Sequence, residues 1–206
     1  MDIKLNEVER YFREKLLAHG NTAEGMDWKN QDTQYLRFER IVRFMEFSDN
    51  PSLLDVGSGA SEFLQYCLDR NLHCDYTGID IVPEMTEAAN MRFGKEVAYV
   101  HDVRSMPEGQ FFDYVIASGT YNAKLSASAA EWEEFFFDSL KSMFSLCRKA
   151  LIFNCMSQHV DWEYDRLYYP DAGRLSSFIV KNLSRRFQID HAYPLFEMTV
   201  CIEKAQ

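Results

Sequence analysis

The sequence predicts an α/β domain: a mostly parallel sheet covered by helices on both faces. Three observations predict it. After Pro51, short apolar runs alternate with helical stretches. The runs are almost continuously apolar, as strands buried on both faces must be. Each run ends in a turn rich in Asp, Gly or Ser. A chain of 206 residues suits one such domain.

The elements follow in order. Residues 1–19 read as a helix with Leu5, Val8, Phe12 and Leu16 on one face. The stretch "HGNTAEGMDWKN" then breaks it with two glycines. A second helix is expected over about 32–47, with Leu36, Ile41, Val42 and Met45 inward. The strands expected are 52–57, 74–80, 97–102, 112–118 and 149–155. Helices at about 61–70, 83–93 and 128–147 connect them. The last is marked by the capping-box spacing of Ser128 and Glu131. Its inward face carries Trp132, Phe136, Leu140, Met143 and Cys147. Near the end, "RFQIDHAY" and "LFEMTVCIE" are two strands joined through Pro194, so one of them runs antiparallel to the rest.

Composition narrows the function. With 47% hydrophobic residues, 16 Phe and 11 Tyr, the chain can build a sizeable core. A net charge of −10 argues against nucleic acid, whose binding needs Lys and Arg to displace counterions. It also disfavours an anionic membrane surface, and no apolar run approaches the roughly 20 residues of a membrane span. Five cysteines with no CxxC pair predict reduced, buried thiols in a cytoplasmic protein. No ligand cluster for a metal is visible.

In a parallel sheet, ligands bind beyond the carboxyl ends of the strands, so the turns there matter most. The first is Asp55-Val56-Gly57-Ser58-Gly59-Ala60-Ser61, where glycines allow a sharp turn and close approach to a ligand. The second strand ends at Asp80, placed to accept both hydroxyls of a ribose. The third ends in His101-Asp102-Val103, where a carboxylate can accept from the amino group of adenine. The fourth ends in Ser118-Gly119-Thr120-Tyr121-Asn122. Each turn alone is a weak signal. Three acids closing three consecutive strands are a far more specific one.

This constellation resembles the class I S-adenosylmethionine-dependent methyltransferases. "LDVGSGAS" is similar to the family's first motif, with Ser61 in place of the third glycine. "YTGIDIVPEM", "YVHDVRSMP" and "FDYVIASGTYN" resemble its ribose, adenine and fourth-strand motifs. The resemblance implies a Rossmann-like seven-stranded sheet in the order 3-2-1-4-5-7-6, with strand 7 antiparallel. It implies one domain over 1–206, with an N-terminal helical segment at 1–48 and the core at 49–206. The cofactor implied is S-adenosyl-L-methionine. Asp55, Gly57, Ser58 and Gly59 would cradle its methionine moiety. Asp80 and Ile81 would hold the ribose, Asp102 and Val103 the adenine, and Ser118 would border the methyl group. A pyrophosphate-binding loop would instead want three glycines as G-x-G-x-x-G, and Glu62 stands in the third place. A carboxylate there repels a pyrophosphate, which disfavours a nicotinamide oxidoreductase. Valine at position 57 is expected to block the cofactor and leave the protein folded.

Acceptor-side residues are expected after the fourth and fifth strands. Tyr121, Asn122 and His159 are the catalytic candidates. The segment 156–170 is expected to cover the methyl-transfer pocket with Trp162, Tyr164, Tyr168 and Tyr169. His159 or Asp161 would be the base at its first turn. The segment before the core resembles one in small bacterial methyltransferases, which points Trp28 and Arg37 at the cofactor cleft, Arg37 toward the methionine carboxylate. The expected partner is a small-molecule methyl acceptor, with no nucleic acid, no membrane and a monomer or homodimer. A protein or nucleic-acid methyltransferase and a non-catalytic cofactor-binding protein are the alternatives.

Overall fold

A computed structural model describes residues 5–107 and 109–204. The first four residues of the expected N-terminal helix lie outside the described residues. Seven strands form one sheet: β1 (Ser52–Val56), β2 (Asp75–Asp80), β3 (Ala98–Val100), β4 (Phe112–Ser118), β5 (Cys147–Met156), β6 (Phe187–Asp190) and β7 (Glu197–Glu203). Their order is β3-β2-β1-β4-β5-β7-β6, with β7 antiparallel to both neighbours. The expected topology is therefore the observed one. Strand order reverses between β1 and β4, which opens a crevice at their carboxyl ends.

Among the described residues, six α-helices surround the sheet: α1 (Leu5–His19), α2 (Gln31–Val42), α3 (Glu62–Asp69), α4 (Pro83–Phe93), α5 (Ala129–Leu146) and α6 (Ala172–Asn182). The core lies on both faces. Leu53 packs with Phe38 and Ile41 of α2 and Phe63 and Cys67 of α3. Its neighbour Leu54 packs on the other side, with Trp132, Phe136, Leu140 and Met143 of α5. Successive strand residues point to opposite faces. Both faces are covered, so both positions must be apolar. The Ser128–Glu131 capping box forms as expected.

Three elements differ from expectation. The second helix ends at Val42, not near 47, because the backbone tightens there: Phe44 N–H donates to Ile41 and Met45 N–H to Val42. Strand β3 is short because it is an edge strand that pairs with β2 over only three residues. Helix α6 was not foreseen. It starts at Asp171, whose side chain accepts the Arg174 N–H at 2.7 Å, and it buries only Leu175 and Ile179. Phe178 adds a stacked contact with Phe137 of α5, ring centroids 4.0 Å apart. Two buried apolar residues in a polar stretch leave little periodicity to read.

Candidate active site

A cavity of about 530 Å³ opens along the carboxyl ends of β1, β2 and β4. Its floor is the turn after β1. Gly57, Gly59 and Ser61 there adopt φ of +70°, +53° and +56°. A Cβ on Gly57 would stand 2.3 Å from the Thr120 side chain, and one on Gly59 2.8 Å from Met26 Sδ. The two glycines thus make room for the β4 turn and the N-terminal segment as well as for a ligand. Valine at 57 would meet both the positive φ and Thr120. It is therefore a folding probe before it is a binding probe, a correction to the sequence reading.

Two acids face the cavity from adjacent strands. Asp80 Oδ2 accepts the Gly59 N–H at 2.8 Å and Oδ1 the Val82 N–H at 2.9 Å, so the β2 acid also ties down the β1 turn. Burial raises its pKa, and those backbone donors oppose the rise. Asp55 is 3% exposed and accepts from the Tyr76 hydroxyl at 2.8 Å. Burial pushes it up to about 7, against the tyrosine's donation and with the help of nearby Asp80. Ser58 Oγ is buried with no hydrogen-bond partner among the described residues.

Toward β2 and β3 the cavity is lined by the apolar Phe12, Ile81, Val82, Met85, Val103 and Phe135, with His101 among them. Asp102 reaches this end with its carboxylate held by Arg104 at 2.6 and 3.0 Å. The other end lies past β4, β5 and β7. Trp28 packs against Gly119, where a Cβ would be 2.0 Å from the ring. Arg37 stacks on the same indole at 4.2 Å. Its guanidinium grips Glu197, Nε to Oε2 at 2.7 Å and Nη2 to Oε1 at 2.5 Å, and donates to the Thr33 carbonyl. So Arg37 lines the cavity, but Glu197 already matches its charge.

Asn122 is set rigidly at this end. Its Oδ1 accepts the Met156 N–H at 3.0 Å and its carbonyl the Tyr168 N–H at 2.8 Å. The side-chain NH₂ has no acceptor among the described residues, which leaves a donor at the cavity wall. Ser118 lines the wall beside it. Tyr121 also lines the cavity, but its ring packs on Phe135 and Phe136 and its carbonyl accepts the Trp132 indole N–H at 2.7 Å. It is a core residue at the margin of the site.

The structure does not bring His159 to the cavity. Its N–H donates to Ser157 Oγ at 3.1 Å, a local turn that sends the chain outward, and its ring meets His191 in solvent. Asp161 is exposed as well. From the same segment, Tyr164, Arg166 and Leu167 do line the cavity. Trp162 is 61% exposed, while Tyr168 is buried against Phe136.

Sequence reasoning missed Tyr76, Glu197 and Asp27. Asp27 joins the two segments that cover the cavity. It accepts from Tyr11 and Arg166 at 2.8 Å each and pairs with Lys15 at 2.9 Å. Burial would raise its pKa, but these three partners outweigh burial and hold it below the usual carboxylate value. Leu5, Val8 and Phe12 of α1 form the cover itself, and Arg13 anchors α1 to Glu84 of α4 at 2.6 Å. Among the described residues, no three metal-ligating side chains gather and no helix is long and apolar enough to cross a membrane.

The residues fit S-adenosylmethionine. Asp55 and Asp80 line the cavity where a cationic, hydroxyl-bearing ligand needs acceptors, and apolar side chains of Ile81, Val82, Met85 and Val103 line it beyond Asp80. A family model described as a methyltransferase domain matches residues 53–151. The protein named "Putative methyltransferase Rv1506c" from Mycobacterium tuberculosis (strain ATCC 25618 / H37Rv) is 33% identical over 168 residues, 80% of this chain and 99% of that one. Among solved structures, N-methyltransferase NodS from Bradyrhizobium japonicum WM9, in complex with S-adenosyl-L-homocysteine, aligns over 96% of this chain and 98% of its own. The TM-score is 0.70 at 12% identity. Human N-acetylserotonin methyltransferase in complex with S-adenosylmethionine aligns over 100% of this chain and 61% of its own, with a TM-score of 0.69 at 13% identity. The chain belongs to the class I S-adenosylmethionine-dependent methyltransferases.

Proposed function

We propose that the chain methylates a small molecule held at the β4–β5–β7 end of the cavity, and that it does so by alignment, without His159 as a base. The cavity itself carries this reading. It runs continuously from Asp80 and Asp102 to Arg37 and Glu197, and α1 covers it. A covered space of about 530 Å³ suits a cofactor and a small acceptor better than a nucleic-acid strand or a folded protein. The net charge of −10 agrees. Free thiols at all five cysteines agree with a cytoplasmic setting.

Asp80 accepts the two ribose hydroxyls, and the apolar lining around Val103 and Phe135 takes the adenine with Asp102 at its rim. Asp55 faces the ammonium group of the methionine moiety, above Gly57, Ser58 and Gly59. When bound, S-adenosylmethionine supplies a methyl carbon already activated on a sulfonium. The protein then has to bring the acceptor atom into line with it, which contributes roughly 7–11 kcal/mol. Asn122 is suited to that work, since its amide is pinned by Met156 and its NH₂ is left to donate to the acceptor. Trp28, Leu195 and Phe196 line the acceptor end.

The direct test is a screen of small-molecule acceptors for S-adenosylhomocysteine release. Turnover with a small molecule and none with nucleic acid or protein substrates is expected, and the reverse pattern would overturn the reading. His159→Ala gives a second check. Because His159 points to solvent, its loss should leave kcat within about threefold of the parent. A general base would cost on the order of 10²–10⁴-fold, and initial rates with a hydroxyl acceptor separate the two.

A further inference from the structure

Strand β2 carries Tyr76, Gly78 and Asp80 at alternate positions, so all three face one side of the sheet. The register places Gly78 directly across from Asp55 of β1. A Cβ on Gly78 would stand 3.1 Å from the Tyr76 hydroxyl oxygen and 2.7 Å from Ser58 Oγ. The missing side chain is what lets the tyrosine lie along its own strand. Its hydroxyl then reaches Asp55 Oδ2 at 2.8 Å. Asp55 Oδ1 takes no hydrogen bond among the described residues, and Asp55 lines the cavity. The other titratable groups near this carboxylate are Asp80 on β2, Cys67 on α3 and Cys74 just before β2, none of them a cation. Among the described residues, Tyr76 is its one hydrogen-bond donor.

We propose that Tyr76 is a positioning residue for Asp55: its hydroxyl holds one carboxylate oxygen and leaves the other aimed at the ammonium group of the bound cofactor. This rests on the reading that Asp55 faces that ammonium. The hydroxyl has a second effect. Burial pushes Asp55 up to about 7, and the tyrosine's donation is the force that opposes it. A cationic ligand group prefers the carboxylate over the neutral acid. Affinity should therefore rise with pH through about 7 and level off above. Removing the hydroxyl favours the neutral acid and moves that rise to higher pH.

The test is calorimetric titration of the full chain with S-adenosylhomocysteine across about pH 5.5 to 8.5. Tyr76→Phe should move the midpoint up by about one pH unit. Binding would then be about tenfold weaker than in the parent at pH 6 and within about twofold of it at pH 8.5. A purely structural role would weaken binding equally at every pH, and that result would overturn the proposal. An analogue of S-adenosylhomocysteine lacking the α-amino group separates the two readings. If the parent shows the same pH dependence with and without the amino group, Asp55 does not face it. If the parent loses its pH dependence with the analogue but Tyr76→Phe keeps the parent's midpoint, only the role of Tyr76 fails. Should Tyr76→Phe not fold, 3-fluorotyrosine at position 76 takes its place: its more acidic hydroxyl donates more strongly to Asp55, and a downward shift of the midpoint is expected. An unshifted midpoint there overturns the proposal too.

Discussion

Glu197→Leu should destabilise the protein by about 3–5 kcal/mol, because it strips the partner from a buried guanidinium. The side chains of Arg37 and Glu197 are 10% and 3% exposed, so water cannot replace what is lost. Three of the five guanidinium N–H groups are bound, two by Glu197 and one by the Thr33 carbonyl. Without the carboxylate, the charge is left against the Trp28 ring with one carbonyl for company. The double variant Arg37→Met with Glu197→Leu should recover most of the stability, since a well-packed apolar pair often equals a buried ion pair. It should not recover activity. Trp28 sits between Arg37 and Gly119, so the pair shapes the acceptor end of the cavity. Denaturant unfolding of both single variants and the double completes the cycle. A Glu197→Leu value within about 1 kcal/mol of the parent would mean that the pair is solvated in solution.

That pair also shows where sequence reading stops. Arg37 and Glu197 are 160 residues apart, on α2 and at the start of β7. Nothing local links them. Glu197 looks like an ordinary polar residue before an apolar strand, and only the antiparallel return of β7 beside β5 brings it to the ligand edge. The same limit explains His159. Its position after β5 was legible, but its direction depends on a turn closed by the Ser157 hydroxyl.

The turns after β1, β2 and β3 were legible for the opposite reason. Each acid closes a strand whose apolar run is plain, and the register of a parallel sheet brings consecutive strand ends to one edge. The seven-stranded order came from the family resemblance, because periodicity alone gives strands and not their neighbours. Tyr76 lies between these cases. The spacing Tyr-x-Gly-x-Asp puts the three on one face of β2, so a tyrosine lying over a glycine could have been suspected. Its partner Asp55 needed the β1–β2 register.

Asp80 carries the largest expected effect on binding. Each of its oxygens already accepts one backbone N–H, Gly59 on one side and Val82 on the other. Each keeps a lone pair for a ribose hydroxyl. Asp80→Ala removes both acceptors proposed for the ribose hydroxyls, at about 1.5–3 kcal/mol for each charged hydrogen bond, less what water restores. Cofactor affinity should therefore fall by about 10²–10⁴-fold. The same change orphans two backbone donors, one of them in the β1 turn, so the cradle loosens as well. Asp80→Asn separates the two effects poorly, and the reason is instructive. An amide has one acceptor oxygen, and its NH₂ must then face either the Gly59 or the Val82 N–H, donor against donor. Asparagine should thus bind cofactor almost as weakly as alanine, despite its similar shape. Glutamate keeps the charge but moves it one methylene into the cavity, toward the place proposed for the ribose, and should also bind weakly. Calorimetry with S-adenosylhomocysteine, run beside thermal melts, reads affinity and folding separately. A loss under about threefold in a folded Asp80→Ala protein would remove the carboxylate from the ribose site and leave it only the task of holding the β1 turn to β2.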